Sequence, residues 1–138
     1  MNPTKDLSEL LKNMAPEAAE GGYHIATVDE SQLMALSGYL GHIIDVFREE
    51  EGLSIVFSEE IKDGVSQMTE KEIIGPFALI TLTVNSDLLA VGFLARITEA
   101  LARKEIPVNA FSAYHHDHLL VPYGKKEEAM EILRKLAE

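Results

Sequence analysis

A chain of 138 residues with a 46% apolar share is long enough to bury a real core, in one domain or in two very small ones. Its formal net charge of −11 leaves no basic stripe to neutralise phosphates, which argues against nucleic acid and an anionic membrane surface as partners. It contains no cysteine, so a disulfide framework, a thiolate zinc site and a thiol nucleophile are all excluded. No apolar run approaches the roughly 18 residues of a membrane span. Lys5, Asp6, Glu9 and Lys12 interrupt residues 1–14, unlike the apolar core of a signal peptide, so the expected location is cytoplasmic.

In chain order, Asp6 is placed to cap a short helix whose Leu7, Leu10, Leu11 and Met14 recur at helical spacing, before Pro16, Gly21 and Gly22 stop it. This first segment, residues 1–20, is expected to lie over the rest as a lid or strap. Residues 23–28 form a short strand, with Asp29 a candidate cap for a short helix over 31–36. Strands over 43–48 and 53–57 then flank the polar connection Glu49, Glu50, Glu51 and Gly52, a hairpin in which Gly52 can take a positive φ. Arg48 and these glutamates are read as a solvated turn. Ser58 can cap a helix over 59–62 that Gly64 ends, and residues 65–75 are either a linker or an edge strand.

Residues 79–123 hold the densest pattern. Ile80, Leu82 and Val84 alternate with Leu79, Thr81 and Thr83, the period of a half-buried strand. Leu94, Ile97 and Leu101 then repeat at helical spacing opposite Arg96, Glu99 and Arg103, and that helix can cover the strand's apolar face. Two β-favouring runs, 108–114 and 118–121, enclose His115, His116 and Asp117 as a hairpin loop. A last helix over 125–136 presents Ala129, Ile132, Leu133 and Leu136 on one face.

The two halves match each other. Thr27 and Val28 correspond to Thr83 and Val84; Asp45, Val46 and Phe47 correspond to Asn109, Ala110 and Phe111; and residues 53–57 correspond to 118–122. Each half reads β-α-β-β-α, the first with a much shorter leading helix, and such self-similarity points to a tandem pair. The expected division is 1–20, then a first unit 21–75, then a second unit 76–138.

The run Val91-Gly92-Phe93-Leu94-Ala95-Arg96-Ile97, with Ala100-Leu101-Ala102 and Ile106-Pro107-Val108-Asn109, resembles the glycine, helix and strand signature of ACT domains. Ser112-Ala113-Tyr114-His115-His116-Asp117-His118-Leu119-Leu120-Val121-Pro122 is similar to a subgroup of small stand-alone bacterial ACT-like proteins. The resemblance implies an α+β fold of ferredoxin-like βαββαβ units in tandem, antiparallel sheets with helices on one face. It also implies side-by-side pairing, here of the two units of one chain as a pseudo-dimer that pairs again into a homodimer, with a small ligand, usually an amino acid, at the interface between units. Many ACT domains carry an aspartate three residues before the glycine. In this chain that position is Leu89, with Asp87 two residues earlier.

Candidate ligand-binding residues fall in two stretches. The first is Asn85, Ser86 and Asp87 with the helix start at Val91, Gly92, Phe93 and Leu94; unpaired N–H groups and the positive dipole end suit a carboxylate there, and Gly92 permits close approach. A plain helix cap explains Ser86 or Asp87 equally well. The second is Asn109, Ala110 and Phe111 with Tyr114, carried over by position from the resemblance, Asn109 having both donor and acceptor capacity. His116 and His118 are candidates to reach the ligand or a partner unit.

His115, His116, Asp117 and His118 also carry metal-ligand chemistry, yet alternation on a strand turns His116 and His118 away from His115 and Asp117. A hairpin in which Asp117 bonds the turn backbone is the expected arrangement, with no metal and no cofactor. No P-loop, dinucleotide fingerprint, nucleophile elbow or His-Glu-x-x-His occurs, so no enzyme is expected. The reading is a non-enzymatic, amino-acid-binding regulatory protein that signals to a regulated partner. The alternatives are a ligand-free assembly module and a metal-binding protein or metal-dependent enzyme that recruits His24 or His42 to the hairpin.

Overall fold

Alternating burial lays down the first full strand, because in Tyr23–Val28 every second side chain, His24, Ala26 and Val28, is buried. The structure is a computed structural model and describes residues 3–138. In chain order its elements are α1 (Leu7–Lys12), β1 (Pro16–Ala18), β2 (Tyr23–Val28), α2 (Leu33–Leu36), β3 (Ile43–Glu49), β4 (Gly52–Ser58) and α3 (Lys62–Ser66). They continue with β5 (Ile74–Leu82), α4 (Phe93–Ala102), β6 (Asn109–Ser112), β7 (Asp117–Pro122) and α5 (Lys126–Leu136). The chain divides into two compact units, Gly21–Phe77 and a second that joins residues 3–20 to Ala78–Glu138.

In the unit Gly21–Phe77, β4 lies antiparallel between β2 and β3, with Ile25 opposite Val56 and Val46 opposite Ile55. The other side of β2 takes the start of β5, Tyr23 opposite Phe77 and Ile25 opposite Ile74. Asp29 accepts a hydrogen bond from the Ser31 backbone N–H at 2.9 Å and starts a 3-10 turn that runs into α2. Ser31 also holds the Asp29 carboxyl below its ordinary value. The core is Ala26, Val28, Leu36, Leu53, Ile55, Phe57, Ile61 and Val65. Gly52 has φ +141 and a Cβ there would sit 2.5 Å from the Val28 carbonyl oxygen, so the hairpin closes only around glycine.

In the other unit β1 pairs antiparallel with β5, Ala18 opposite Ile80 and Pro16 opposite Leu82, and β7 lies between β5 and β6. β6 and β7 are antiparallel, Asn109 opposite Leu120. Phe93, Ile97 and Leu101 of α4 and Ala129, Met130 and Leu133 of α5 bury against Ile80, Leu82, Leu119 and Val121. The Asp6 carboxylate accepts from the Glu9 N–H at 2.9 Å to start α1, and Leu10 and Met14 enter the same core. Both units therefore contain a βαββαβ set, to which the second unit adds α1. The last strand of one is the beginning of β5, and the last strand of the other is β1, supplied from the N-terminal side.

The differences from the sequence reading are local. Gly64 does not end its helix: α3 runs through it to Ser66, because Val65 is fully buried and anchors the turn. Of residues 65–75, the first two belong to α3 and only Ile74 and Gly75 are strand. Asp117 is not a turn residue bonding backbone but the first residue of β7. No described helix is long and apolar enough to cross a membrane.

Candidate functional site

β5 ends at Leu82, and residues 83–92 lead into α4. This loop is held at several points. Its Asn85 carbonyl accepts from the Thr4 N–H at 3.1 Å, and its Asp87 N–H donates to the Thr4 carbonyl at 2.9 Å, so the chain ahead of α1 straps it in place. The Asp87 carboxylate accepts from the Leu89 N–H at 2.8 Å and its carbonyl from the Ala90 N–H at 3.0 Å, a turn that aspartate favours. Gly92, at φ +92, then starts α4 without a side-chain cap. The first hydrogen bond of the helix runs from the Arg96 N–H to the Gly92 carbonyl at 3.0 Å. That leaves the Phe93, Leu94 and Ala95 N–H groups without an acceptor in the helix.

The hairpin β6–β7 approaches from the other side. Ser112 pairs with Asp117 in register, and the Ala113 N–H donates to the His116 carbonyl at 3.0 Å across the turn. Asp117 is only 7% exposed. One carboxylate oxygen accepts from the Ser112 hydroxyl at 2.8 Å, and the other accepts from the Ser86 hydroxyl at 3.2 Å, with Ser86 itself buried. A charged group is thus tied to both the hairpin and the loop.

Between them is a cavity of about 140 Å³ whose walls include Ser86, Gly92, Phe93, Leu94, Ser112 and Asp117. A second and wider cavity, about 370 Å³, is lined by Pro3, Asn85, Tyr114 and His115, and Ser86, Asp87 and Leu88 border both.

Two stretches of the chain, residues 2–63 and residues 76–135, match two different family models, each described as the ACT domain. The chain belongs to the ACT-domain family. Among solved structures, a protein of unknown function from Vibrio cholerae, described as a possible transport protein, is similar to it at 38% identity and a TM-score of 0.77, covering 97% of this chain and 98% of that one. A protein from Agrobacterium tumefaciens matches at 19% identity and a TM-score of 0.65, covering 88% of this chain and 87% of that one. The ligand-free regulatory subunit of aspartate kinase from Thermus thermophilus matches at 12% identity and a TM-score of 0.71, covering 92% and 99%. These last two show the shared fold. No curated protein matches.

Within this ACT chain, the sequence-derived candidates separate into groups. Asn85, Ser86, Asp87, Gly92, Phe93 and Leu94 gather around the loop and its cavities, although Phe93 also belongs to the core. Tyr114 borders the wider cavity while 80% exposed, and Val91 stands 85% exposed and lines neither. Asn109, Ala110 and Phe111 pair with Leu120, Leu119 and His118 and line neither cavity. His116 Nδ1 is 3.2 Å from the Val84 carbonyl, and His118 Nδ1 is 2.9 Å from the Thr81 hydroxyl, so both rings have bonds along β5 and its continuation.

Ser112 and Asp117 line the narrower cavity, although the sequence reading placed neither among its candidate ligand-binding residues. The available signal was their placement on either side of a short turn, which in an antiparallel hairpin sets two polar side chains opposite each other. Leu89, where many ACT domains carry aspartate, is 73% exposed. Among the described residues no three His, Asp or Glu side chains are placed to hold a metal ion. His24 and His42 lie in the unit Gly21–Phe77, each beside a glutamate, at 3.2 Å from Glu59 and 3.4 Å from Glu60.

Proposed function

We propose that this ACT protein is a non-catalytic regulatory sensor that binds an amino acid at the start of α4 and passes its occupancy to a partner protein. The observation that carries the reading is the cavity of about 140 Å³ walled by a buried carboxylate, two serines and the uncapped first turn of α4. Such a wall combines an acceptor cluster with backbone donors, the pairing a zwitterion needs. Family membership supports a regulatory, ligand-binding role, and structures with this fold include proteins named as regulatory subunits.

The protein acts, in this proposal, as a cytoplasmic homodimer. What supports pairing is the open outer edge of β6, which bonds only to β7 among the described residues and carries Ser112 from the site. A ligand touching that strand would alter the edge that a second copy meets, and this gives occupancy a route to assembly.

A thermal-shift screen of the purified chain against the twenty amino acids tests the proposal, since a ligand that binds only the native state raises the melting temperature by mass action. A saturable shift with an amino acid, weakened in Gly92→Val, is the expected result. No shift with any of them would favour a ligand-free assembly module. The exposed Leu88, Leu89 and Val91 on the same loop support that second reading.

A further inference from the structure

β3 is the outer edge of its unit, hydrogen-bonded to β4 and, among the described residues, to no other strand. An open edge of seven residues presents a row of unpaired N–H and C=O groups, and proteins ordinarily blunt such an edge with charge, proline, a bulge or a cover. β3 has a register shift between Ile43 and Asp45, and it carries Asp45, Arg48 and Glu49. It also carries Ile44, Val46 and Phe47 as exposed apolar side chains, Phe47 at 66%. Charges guard an edge, and an exposed phenylalanine between two of them does the opposite.

The register with β4 sorts these side chains by face. Val46 lies opposite Ile55 and Arg48 opposite Leu53, so both are on the face that α2 and α3 pack against. Phe47 lies opposite Ser54, and Asp45 opposite Val56, so Asp45, Phe47 and Glu49 share the other face. There the Ser54 hydroxyl donates to the Glu49 carboxylate and holds that charge on the face of Phe47. Arg48 is already paired with Glu30. The edge therefore offers acid, aromatic and acid at alternate positions, with Val46 as an apolar contact on the opposite face.

A second copy does not fit this pattern. Two antiparallel strands related by a two-fold axis normal to the sheet keep each face on its own side, so between Asp45 and Glu49 even-numbered residues meet only even and odd only odd. No such register sets Arg48 opposite Asp45 or Glu49, and the one centred on Phe47 sets Asp45 against Glu49 twice. Like charges directly opposite are destabilising. The whole unit reinforces the effect: residues 21–77 hold eleven Asp and Glu against three Lys and Arg, a net −8 of the chain's −11. The edge is open but set against its own kind, and its complement is a strand of opposite charge.

We propose that β3 is a docking edge for an extended, basic segment of a partner protein, which adds an antiparallel strand to the sheet. Main-chain hydrogen bonds supply the affinity and side chains at alternate positions the specificity. Read in its own direction, the segment has Lys or Arg opposite Glu49, an aromatic or apolar residue opposite Phe47, a β-branched one opposite Val46, and Lys or Arg opposite Asp45. Its two cations thus stand four residues apart. This surface lies in the unit without α4 and does not depend on the amino-acid reading.

Fluorescence anisotropy of the full chain with a labelled synthetic peptide containing Lys-Thr-Phe-Val-Lys tests the proposal, beside a reordered peptide, Thr-Lys-Phe-Lys-Val, whose lysines stand two apart. The first should bind saturably and the second roughly tenfold more weakly. Phe47→Ala should weaken the first peptide by roughly tenfold, and raised salt should weaken it in the native chain. Charge exchange is the sharper test. Asp45→Lys combined with Glu49→Lys should lose the basic peptide and gain one containing Glu-Thr-Phe-Val-Glu. None of the three substituted positions is buried, so cooperative melting should persist in each variant. If it does not in the double variant, Phe47→Ala and the two basic peptides on the native chain decide.

Equal affinity for the two basic peptides, or unchanged binding in Phe47→Ala, would overturn the docking edge by revealing a diffuse charge effect. Binding of no peptide would overturn it too, and a dimer in sedimentation velocity that Phe47→Glu dissociates would assign the edge to a second copy instead. A failed amino-acid screen leaves all of these outcomes unchanged.

Discussion

In the unit Gly21–Phe77 the first strand, β2, runs directly into Asp29, whose carboxylate caps the next turn through Ser31. In the other unit the first strand, β5, is followed by residues 83–92, and the helix after them starts at a glycine with no side-chain cap. The second strands and hairpins differ in the same sense. Glu50 and Glu51 turn outward into solvent between β3 and β4, whereas Asp117, at the corresponding hairpin, turns inward and bonds Ser86. One βαββαβ frame has thus been used twice, once with a capped helix start and hairpin acids in solvent, and once with an uncapped helix start and a buried hairpin acid, both lining a cavity. A helix start is available to a ligand only where no side chain has already claimed it.

The largest expected effect tests the frame itself. Ile97→Asp, or Leu101→Asp, places a carboxylate among fully buried side chains of α4. Losing the apolar side chain alone costs about 2–5 kcal/mol, and the buried charge adds to it, against a total stability of about 5–15 kcal/mol. No cooperative thermal transition should remain by circular dichroism; a soluble variant that melts cooperatively would show that α4 does not cover β5 as described.

A pair of glycine variants sharpens the contrast between the units. Gly52→Val drives a side chain into the Val28 carbonyl oxygen and should lower stability by about 3 kcal/mol or more, read as a fall in melting temperature. Gly92→Val meets only Leu7 at 3.7 Å, so left-handed strain of about 1–2 kcal/mol is its main cost. Its larger effect should be on ligand affinity. Equal stability losses, with binding intact in Gly92→Val, would remove the distinction between a structural and a functional glycine.

Much of this contrast was legible in the sequence. β2, β5, α4 and α5 each bury one face, and burial of one face leaves a period that a reader can find in Ile80, Leu82 and Val84 or in Ile97 and Leu101. Asp6, Asp29 and Ser58 could be read as caps because a cap acts within three residues of itself. β1 left no trace: three residues beginning at Pro16 and following Ala15 at φ +43 form a strand only because β5 presents an edge to them. Asp117 was conspicuous in type but not in role. The partner that draws it inward, Ser86, is 31 residues away, and no local spacing encodes that contact.

Smaller effects belong to single hydrogen bonds. His116→Ala removes the contact at 3.2 Å to the Val84 carbonyl and should cost about 1 kcal/mol with the fold intact. A collapse on denaturant titration would mean that the hairpin is held by more than backbone pairing. The smallest effect is at the capped unit. The Asp29 carboxyl is lowered from 3.8 by Ser31, so its contribution is complete above that value and fades as pH falls through the lowered one. The gap in melting temperature between the native chain and Asp29→Ala should therefore narrow between pH 6 and pH 3, and a gap that widens on acidification would contradict the cap.

The path of β5 has a consequence for how the chain can be cut. Its residues Ile74–Phe77 belong to one unit and Ala78–Leu82 to the other, and the strand that finishes the second unit, β1, lies at the far end of the sequence. A fragment starting at residue 76 would therefore leave one side of β5 without the partners that Pro16, Glu17 and Ala18 provide, and an unpaired edge invites aggregation. A circular permutation that carries residues 3–20 behind Glu138 restores the missing strand in sequence order and lets the unit that contains α4 be expressed as one uninterrupted piece.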